Sequence, residues 1–213
     1  YFTIREDNEV KILRSNLYQI IVALNPDWIN KVELGRDFVF NAINTLPNDT
    51  EGREIMHTFK VCKLKDENDI DTVLWWKRLS ENYRNNYFNI QKGIDGEFLT
   101  LRYESKKLNE LNINRQPLLK SIDDETLGYD VLSFRSLSNE LHEIYIEAKF
   151  SNNNQFFLTK NEWSAANKYK ENYFIYFWDG VADLPKIIKF DELREYILDD
   201  KEKSTWDKLI INI

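Results

Sequence analysis

At 213 residues with 42% hydrophobic and 14% aromatic content, the chain is long enough for one substantial core or two small ones, and no apolar run approaches the ~20 residues a membrane helix needs. A net charge of −7 argues against nucleic-acid binding by bulk electrostatics, which needs clustered Lys and Arg, but not against a metal-dependent nuclease, whose site requires clustered acids. The single cysteine, Cys62, excludes an intrachain disulfide and a multi-cysteine zinc site; it reads as a small core residue of a protein in a reducing compartment, hence a cytoplasmic expectation.

The chain begins at Tyr1 without Met or a positively flanked apolar leader, which reads as a piece of a longer chain without a targeting peptide. From Asn8 to about Leu24 the apolar positions Val10, Leu13, Leu17, Ile20, Ile21 and Leu24 have helical spacing, and Asn25-Pro26-Asp27 breaks it. A second helix is predicted over Trp28 to Leu46. After a loop from Leu46 to Gly52, Asp49 or Thr50 would cap a helix running through Arg53 to Phe59. A stronger helix follows from Asp69 to Tyr87, with Val73, Trp76, Leu79, Tyr83 and Tyr87 forming one buried stripe. Asn89 to Gly96 is expected to separate it from the next, Glu97 to Leu111.

Strands dominate thereafter: Tyr129 to Phe134, Glu143 to Lys149, Phe156 to Thr159, Tyr173 to Trp178 and Lys186 to Phe190. Ser151-Asn152-Asn153-Asn154 reads as a hairpin loop, Asn161 to Lys170 as a helix capped by Thr159 or Asn161, and Asp191 to Asp199 as a last helix. The predicted fold class is α/β (α+β), a mixed central sheet flanked by helices after a mostly helical amino-terminal region. We divide it into a helical region, 1–88, whose first 68 residues carry no chemical constellation, and a domain, 89–213.

The chemistry lies in Gly128-Tyr129-Asp130 and Ile146-Glu147-Ala148-Lys149. Strand alternation sends Glu147 and Lys149 to one face while Ile146 and Ala148 go to the other. Charges on a strand that otherwise reads as buried are costly unless something binds there, and two converging acids repel without a cation. Mg²⁺, which prefers carboxylate oxygens and retains water or phosphate ligands, suits such a pair. His142 reads as a strand-edge residue and His57 has no partner in sequence, so neither points to zinc. Lys106, Lys107, Arg115 and Lys120 could form a basic patch, and the aromatics Tyr173, Phe174, Tyr176, Phe177 and Trp178 read as sheet core rather than as a base-stacking platform.

Taken in order, helix, strand with Asp, strand with Glu-x-Lys, and a helix crossing to another strand resemble the PD-(D/E)XK nucleases. The typed neighbours narrow this: Gly93 to Glu97, Tyr103-Glu104, Gly128-Tyr129-Asp130 with Ser133, Glu147-Ala148-Lys149, Leu158-Thr159, and Asn161-Glu162-Trp163 with Ala165 or Ala166. These resemble the branch named after the carboxy-terminal domain of the plant protein NO VEIN, similar to Mrr-type restriction nucleases. Trp75-Trp76 looks like part of the extended pattern, and the resemblance spans about Trp75 to Trp178. The motif's nominal proline is absent, with Tyr129 before the acid instead, which leaves the coordinating carboxylate intact.

The resemblance implies a restriction-endonuclease-like core and a metal-dependent endonuclease acting on DNA, the effector part of a restriction or antiphage defence protein. By it, Asp130, Glu147 and the carbonyl of Ala148 hold Mg²⁺, with Mn²⁺ able to substitute. Lys149 orients or deprotonates water or stabilises developing charge, and Glu97 joins the catalytic and metal set. Lys160, Asn161 and Glu162 would face substrate, although Glu162 near a helix start equally suits the helix dipole. Glu104, seven positions from Glu97, is either a supporting acid behind the metal or a surface partner of Lys107. Expected partners are DNA, a second copy of the chain because cutting both strands takes two sites, and further domains or subunits of a defence system, with no membrane. Competing readings are a nuclease-fold DNA-binding or protein-interaction module without independent activity, and an RNA-directed nuclease.

Overall fold

The computed structural model describes residues 2–66, 68–83, 87–138, 140–197 and 206–213, without the side chains of 2–7 and 87–95. Its chain forms two compact units: one comprises residues 1–86 with 122–124, the other 87–121 with 125–213.

The first unit is helical. Helix α1 spans Phe2–Leu24 and ends where Asn25 takes a positive φ of 44° ahead of Pro26. The single helix predicted over Trp28 to Leu46 is two elements, a 3₁₀ segment Asp27–Leu34 and α2, Arg36–Asn44. Gly35 separates them at φ 114° because its backbone lies against Asp123: a Cβ there would sit 2.3 Å from the Asp123 carbonyl oxygen. Arg36 N–H and Asp37 N–H donate to the carbonyls of Ile122 and Asp123, and the buried Arg36 guanidinium meets Asp123 Oδ1 at 2.6 Å. Helix α3, Asp49–Val61, is capped by Asn48, one residue before the expected Asp49, with its side chain accepting from Thr50 N–H and Glu51 N–H.

Helix α4, Ile70–Tyr83, begins at Asp69, whose Oδ1 accepts Thr72 N–H at 3.1 Å and whose Oδ2 accepts the Thr72 hydroxyl. Phe40, Phe59, Trp75 and Trp76 pack edge-to-face and stacked in the core, with Cys62 buried beside them as expected. Arg14 ties α1 to the segment before α4, donating to the carbonyls of Cys62 and Lys63 and to the Thr72 hydroxyl.

The second unit is the mixed α/β layer structure expected. Helix α5 runs unbroken from Tyr87 to Glu110, so the predicted interruption over Asn89 to Gly96 does not occur. Gly96 has a packing role instead: a Cβ there would lie 3.4 Å from Phe150 Cβ, so the missing side chain brings α5 close to the sheet. The strands are β1 Leu118–Leu119, β2 Val131–Leu137, β3 Glu140–Phe150, β4 Gln155–Thr159, β5 Tyr173–Trp178, β6 Lys186–Lys189 and β7 Lys208–Asn212. The main sheet has the order β1-β2-β3-β5-β6, antiparallel except for the parallel β3–β5 pair.

A parallel pair needs a long crossover, and β4 with α6, Lys160–Tyr169, supplies it. Residues 151–154 therefore do not close the predicted hairpin. Both edges of β3 are taken by β2 and β5, and β4 pairs antiparallel with the carboxy-terminal β7 in a separate two-stranded sheet. Helix α7, Phe190–Tyr196, follows β6 directly; the part of the last predicted helix beyond 197 lies outside the described residues.

Burial opposes ionisation of Asp69, but the Thr72 hydrogen bonds and Arg14 outweigh it and hold the carboxyl below its ordinary value. A depressed carboxyl adds stability above its unfolded pKa and loses it as pH falls through the folded one. Asp69→Ala is expected to lower unfolding free energy at pH 7 by about 1 kcal/mol, the usual worth of such a cap. In urea titrations the gap between parent and variant should shrink as pH drops below the carboxylate range.

Candidate metal and nuclease site

The site forms where β2 and β3 part. Val131↔Ile146 is the last pair between β2 and β3, and Asp130, one residue before it, lies close enough to Glu147 for the two charges to act on each other. Asp130 still belongs to the ladder through its N–H, which donates to the Ile146 carbonyl at 2.9 Å. Just before it the chain turns away: Gly128 has φ 73°, and a Cβ there would sit 2.8 Å from the Asn161 carbonyl oxygen at the start of α6. Tyr173 secures the turn by donating its hydroxyl to the Gly128 carbonyl at 2.9 Å.

Because β2 has departed, Ala148 N–H has no strand acceptor on that edge and donates to Asp130 Oδ2 at 2.8 Å. The N–H and C=O of a strand residue point to one edge, so the Ala148 carbonyl faces the Asp130 side as well. The three groups the sequence assigned to a metal, Asp130, Glu147 and the Ala148 carbonyl, thus share one diverging strand edge.

Lys149 leaves the same face as Glu147 and is 15% exposed. Its Nζ lies 2.8 Å from Glu147 Oε1 and 2.9 Å from Glu162 Oε1. Glu162 is fixed by a capping box at the start of α6, with Thr159 Oγ1 accepting Glu162 N–H and Glu162 Oε2 accepting Thr159 N–H at 3.0 Å. One carboxylate thereby starts the helix with one oxygen and holds the lysine with the other. Read from sequence as a groove residue or a dipole partner, Glu162 is buried and paired to Lys149. The Thr159-x-x-Glu162 spacing was the signal for the cap; nothing in the sequence linked it to Lys149.

Burial pushes the Glu147 carboxyl well above its usual range, the charges of Asp130 and Glu162 push it further, and Lys149 only partly compensates. For Lys149, burial opposes the charged form, but Glu147 and Glu162 outweigh it and raise the ammonium's pKa, so the lysine is cationic. Tyr173 is raised by burial and then by the same three carboxylates.

Glu97 is buried on α5, next to Gly96, where the helix passes the Lys149–Phe150 backbone. Glu104 is fully buried rather than a surface carboxylate. It accepts from the Ser133 hydroxyl at 2.6 Å, the Tyr176 hydroxyl at 2.7 Å and Lys107 Nζ. Ser133 and Tyr176 alternate with the site residues, so Glu104 serves the opposite face of the sheet and not the Asp130 carboxylate. Asn161 donates to the Thr126 carbonyl at 3.0 Å, and Lys160 is exposed. Of the basic patch, Lys107 is engaged with Glu104, Lys106 pairs with Glu110, and Arg115 lies over Phe134.

Among the described residues no three His, Cys, Asp or Glu side chains form a ready-made metal cage. The donor chemistry still fits Mg²⁺, since two oxygen-bearing acids and a carbonyl on one edge leave the remaining positions to water and phosphate. Burial and the adjoining charges of Asp130 and Glu162, which together raise the Glu147 carboxyl, are costs that such a cation would offset.

Removing the lysine strands two buried carboxylates. Lys149→Met should destabilise the protein by about 3–5 kcal/mol at pH 7, the usual loss when one member of a buried pair goes. An acid whose folded pKa is raised costs stability progressively as pH climbs from its unfolded value through the folded one, so the deficit should narrow as pH falls and Glu147 takes a proton. Chemical denaturation at several pH values reads both effects.

Residues 96–190, under half of the chain, match the family model described as "Protein NO VEIN, C-terminal". The match contains Glu97, Asp130, Glu147, Lys149 and Glu162 and begins after Trp75-Trp76. No curated protein and no solved structure matches the chain. The region that carries the candidate site is therefore similar to the carboxy-terminal domain of NO VEIN.

Proposed function

We propose that the second unit is a Mg²⁺-dependent nuclease of the PD-(D/E)XK type that hydrolyses DNA phosphodiester bonds as the effector of a restriction or antiphage protein. One observation carries this reading: Asp130, Glu147 and Lys149 emerge together at the divergence of two central strands, with the lysine held cationic against two buried carboxylates. A fold has no stability reason to gather three acids around one lysine, because a hydrophobic set of similar volume is commonly as stable or more so.

Phosphodiester hydrolysis needs an oriented water, a sink for charge on the phosphorane and relief for the leaving oxygen. A bound Mg²⁺ supplies Lewis acidity and acidifies its water, and Asp130, Glu147 and the Ala148 carbonyl would hold it. The Ala148 N–H fixes the Asp130 carboxylate. The paired glutamates keep Lys149 protonated, which suits it to orient water and stabilise developing negative charge, and unsuits it to act as the base. Glu162 works through Lys149 and is a positioning residue. Glu97, buried on α5, is our candidate for an added acid at the metal, with Mn²⁺ as an alternative ion.

A second reading has its own support. Lys149 and the Ala148 N–H give Glu147 and Asp130 partners within the chain itself, which suits a nuclease-fold binding module that is silent alone or conditional on a partner.

The deciding assay incubates the full chain with modified and unmodified plasmid DNA, and with matched RNA, in Mg²⁺ or Mn²⁺ with a chelator control. Cleavage of DNA that stops with chelator and falls by at least about 100-fold in Glu147→Gln and Lys149→Ala is expected, the loss typical of removing a preorganised charge. No cleavage by folded parent protein, with or without metal, would sink the nuclease reading in favour of the binding module. Preference for RNA would reassign the substrate.

A further inference from the structure

At the end of the sheet away from Lys149, a cleft of about 610 Å³ opens between the start of β5, the end of β6 and α7. Arg135, Lys170, Lys189 and Arg194 line it against two acids, Glu171 and Asp191. Four cations facing two anions in a chain of net charge −7 is a local reversal of sign, and concave walls concentrate such a potential. Lys170, Lys189 and Arg194 are exposed.

Arg135 is constrained. Its Nη2 donates to Asn172 Oδ1 at 2.6 Å, while its Nε is buried without an acceptor among the described residues. A buried donor without an acceptor costs free energy, and the same side chain lines the cleft, where an anion would add charge-assisted bonds to the guanidinium. Lys170 stands at φ 48°, ψ −118°, a conformation L-residues seldom take, at the end of α6.

Two aromatic rings complete the lining. Phe174 is half-buried with Arg135 above it at 5.7 Å from the ring centre, and Phe190, stacked on Trp163, has Arg194 at 5.9 Å. Guanidinium groups recognise phosphate through paired N–H donors, and arginine and aromatic faces together accept a planar base. We propose that this cleft is a nucleotide-binding site, in which Arg135, Lys189 and Arg194 hold the phosphate and Phe174 and Phe190 contact the base. It is separate from the carboxylate site: Phe174 pairs with Ile146 and Lys189, whereas Lys149 pairs with Phe177 at the other end of β5. The assignment stands whether or not the carboxylate site cleaves DNA.

The test is calorimetric titration of the full chain, in chelator and at low ionic strength, with a deoxynucleoside 5′-monophosphate, its unphosphorylated nucleoside and inorganic phosphate. Saturable binding of the monophosphate is expected, with no heat from the nucleoside and weaker binding of inorganic phosphate. The double variant K189Q/R194Q, altered only at exposed positions, should bind the monophosphate at least roughly tenfold more weakly, as loss of two charge-assisted contacts implies. Absence of saturable binding, or binding unchanged in the double variant, would overturn the site. Inorganic phosphate binding as tightly as the monophosphate would overturn its assignment to a nucleotide. Because no metal is present, none of these outcomes depends on cleavage.

Discussion

The ammonium of Lys149, placed between Glu147 and Glu162, is the contact on which the carboxylate site depends. It joins β3 to the first turn of α6 across the connection that makes β3 and β5 parallel. A lysine buried to this degree is tolerated only with its charge compensated, and the compensating acids are tolerated only because of the lysine. The capping box makes the arrangement rigid, since Glu162 cannot swing away without exposing the Thr159 N–H at the helix start. Geometry usually left to flexible side chains is thereby tied to backbone.

The sheet separates its polar functions by face. On one side Asp130, Glu147 and Lys149 meet α6; on the other Glu104 binds Ser133, Tyr176 and Lys107 beneath α5. Strand alternation sends Glu147 and Lys149 to one face and Ser133 and Tyr176 to the other, so the two acidic centres lie on opposite sides of the sheet. The Glu104 network is satisfied by two hydroxyls and an ammonium, as a buried carboxylate must be, which suits it to orient α5 on the sheet. At Glu147, by contrast, burial first and the charges of Asp130 and Glu162 second hold the carboxyl well above its usual range, with Lys149 compensating only in part.

Charge distribution adds a second distinction. The chain is acidic as a whole, yet cations gather in the cleft beside β5 and β6. Of the lysines and arginines that looked like a basic patch, Lys106 and Lys107 are occupied by glutamates on their own helix and Arg115 lies over Phe134. The cleft cations come from β2, the end of α6, β6 and α7, so no linear stretch displays them. Phe174 likewise belongs to an aromatic strand whose other rings are buried, and only its position at the start of β5 leaves it partly open.

Alternation and typed motifs in the sequence determined the mixed α/β class, the identity of β5, the pairing of Glu147 with Lys149 on one face, and the helical character of the first unit. These are local properties, set by periods of two and 3.6 residues. Tertiary structure decided the rest. Gly35 breaks a helix because Asp123 presses on its backbone, while Gly96 does not break one because α5 needs closeness to Phe150, and local propensity cannot tell these glycines apart. The hairpin expected at 151–154 fails because β3 has both edges filled and β4 finds β7 some fifty positions later. The bond between Lys149 and Glu162 joins a strand to a helix cap, and only the crossover that folds α6 back onto the sheet brings them together.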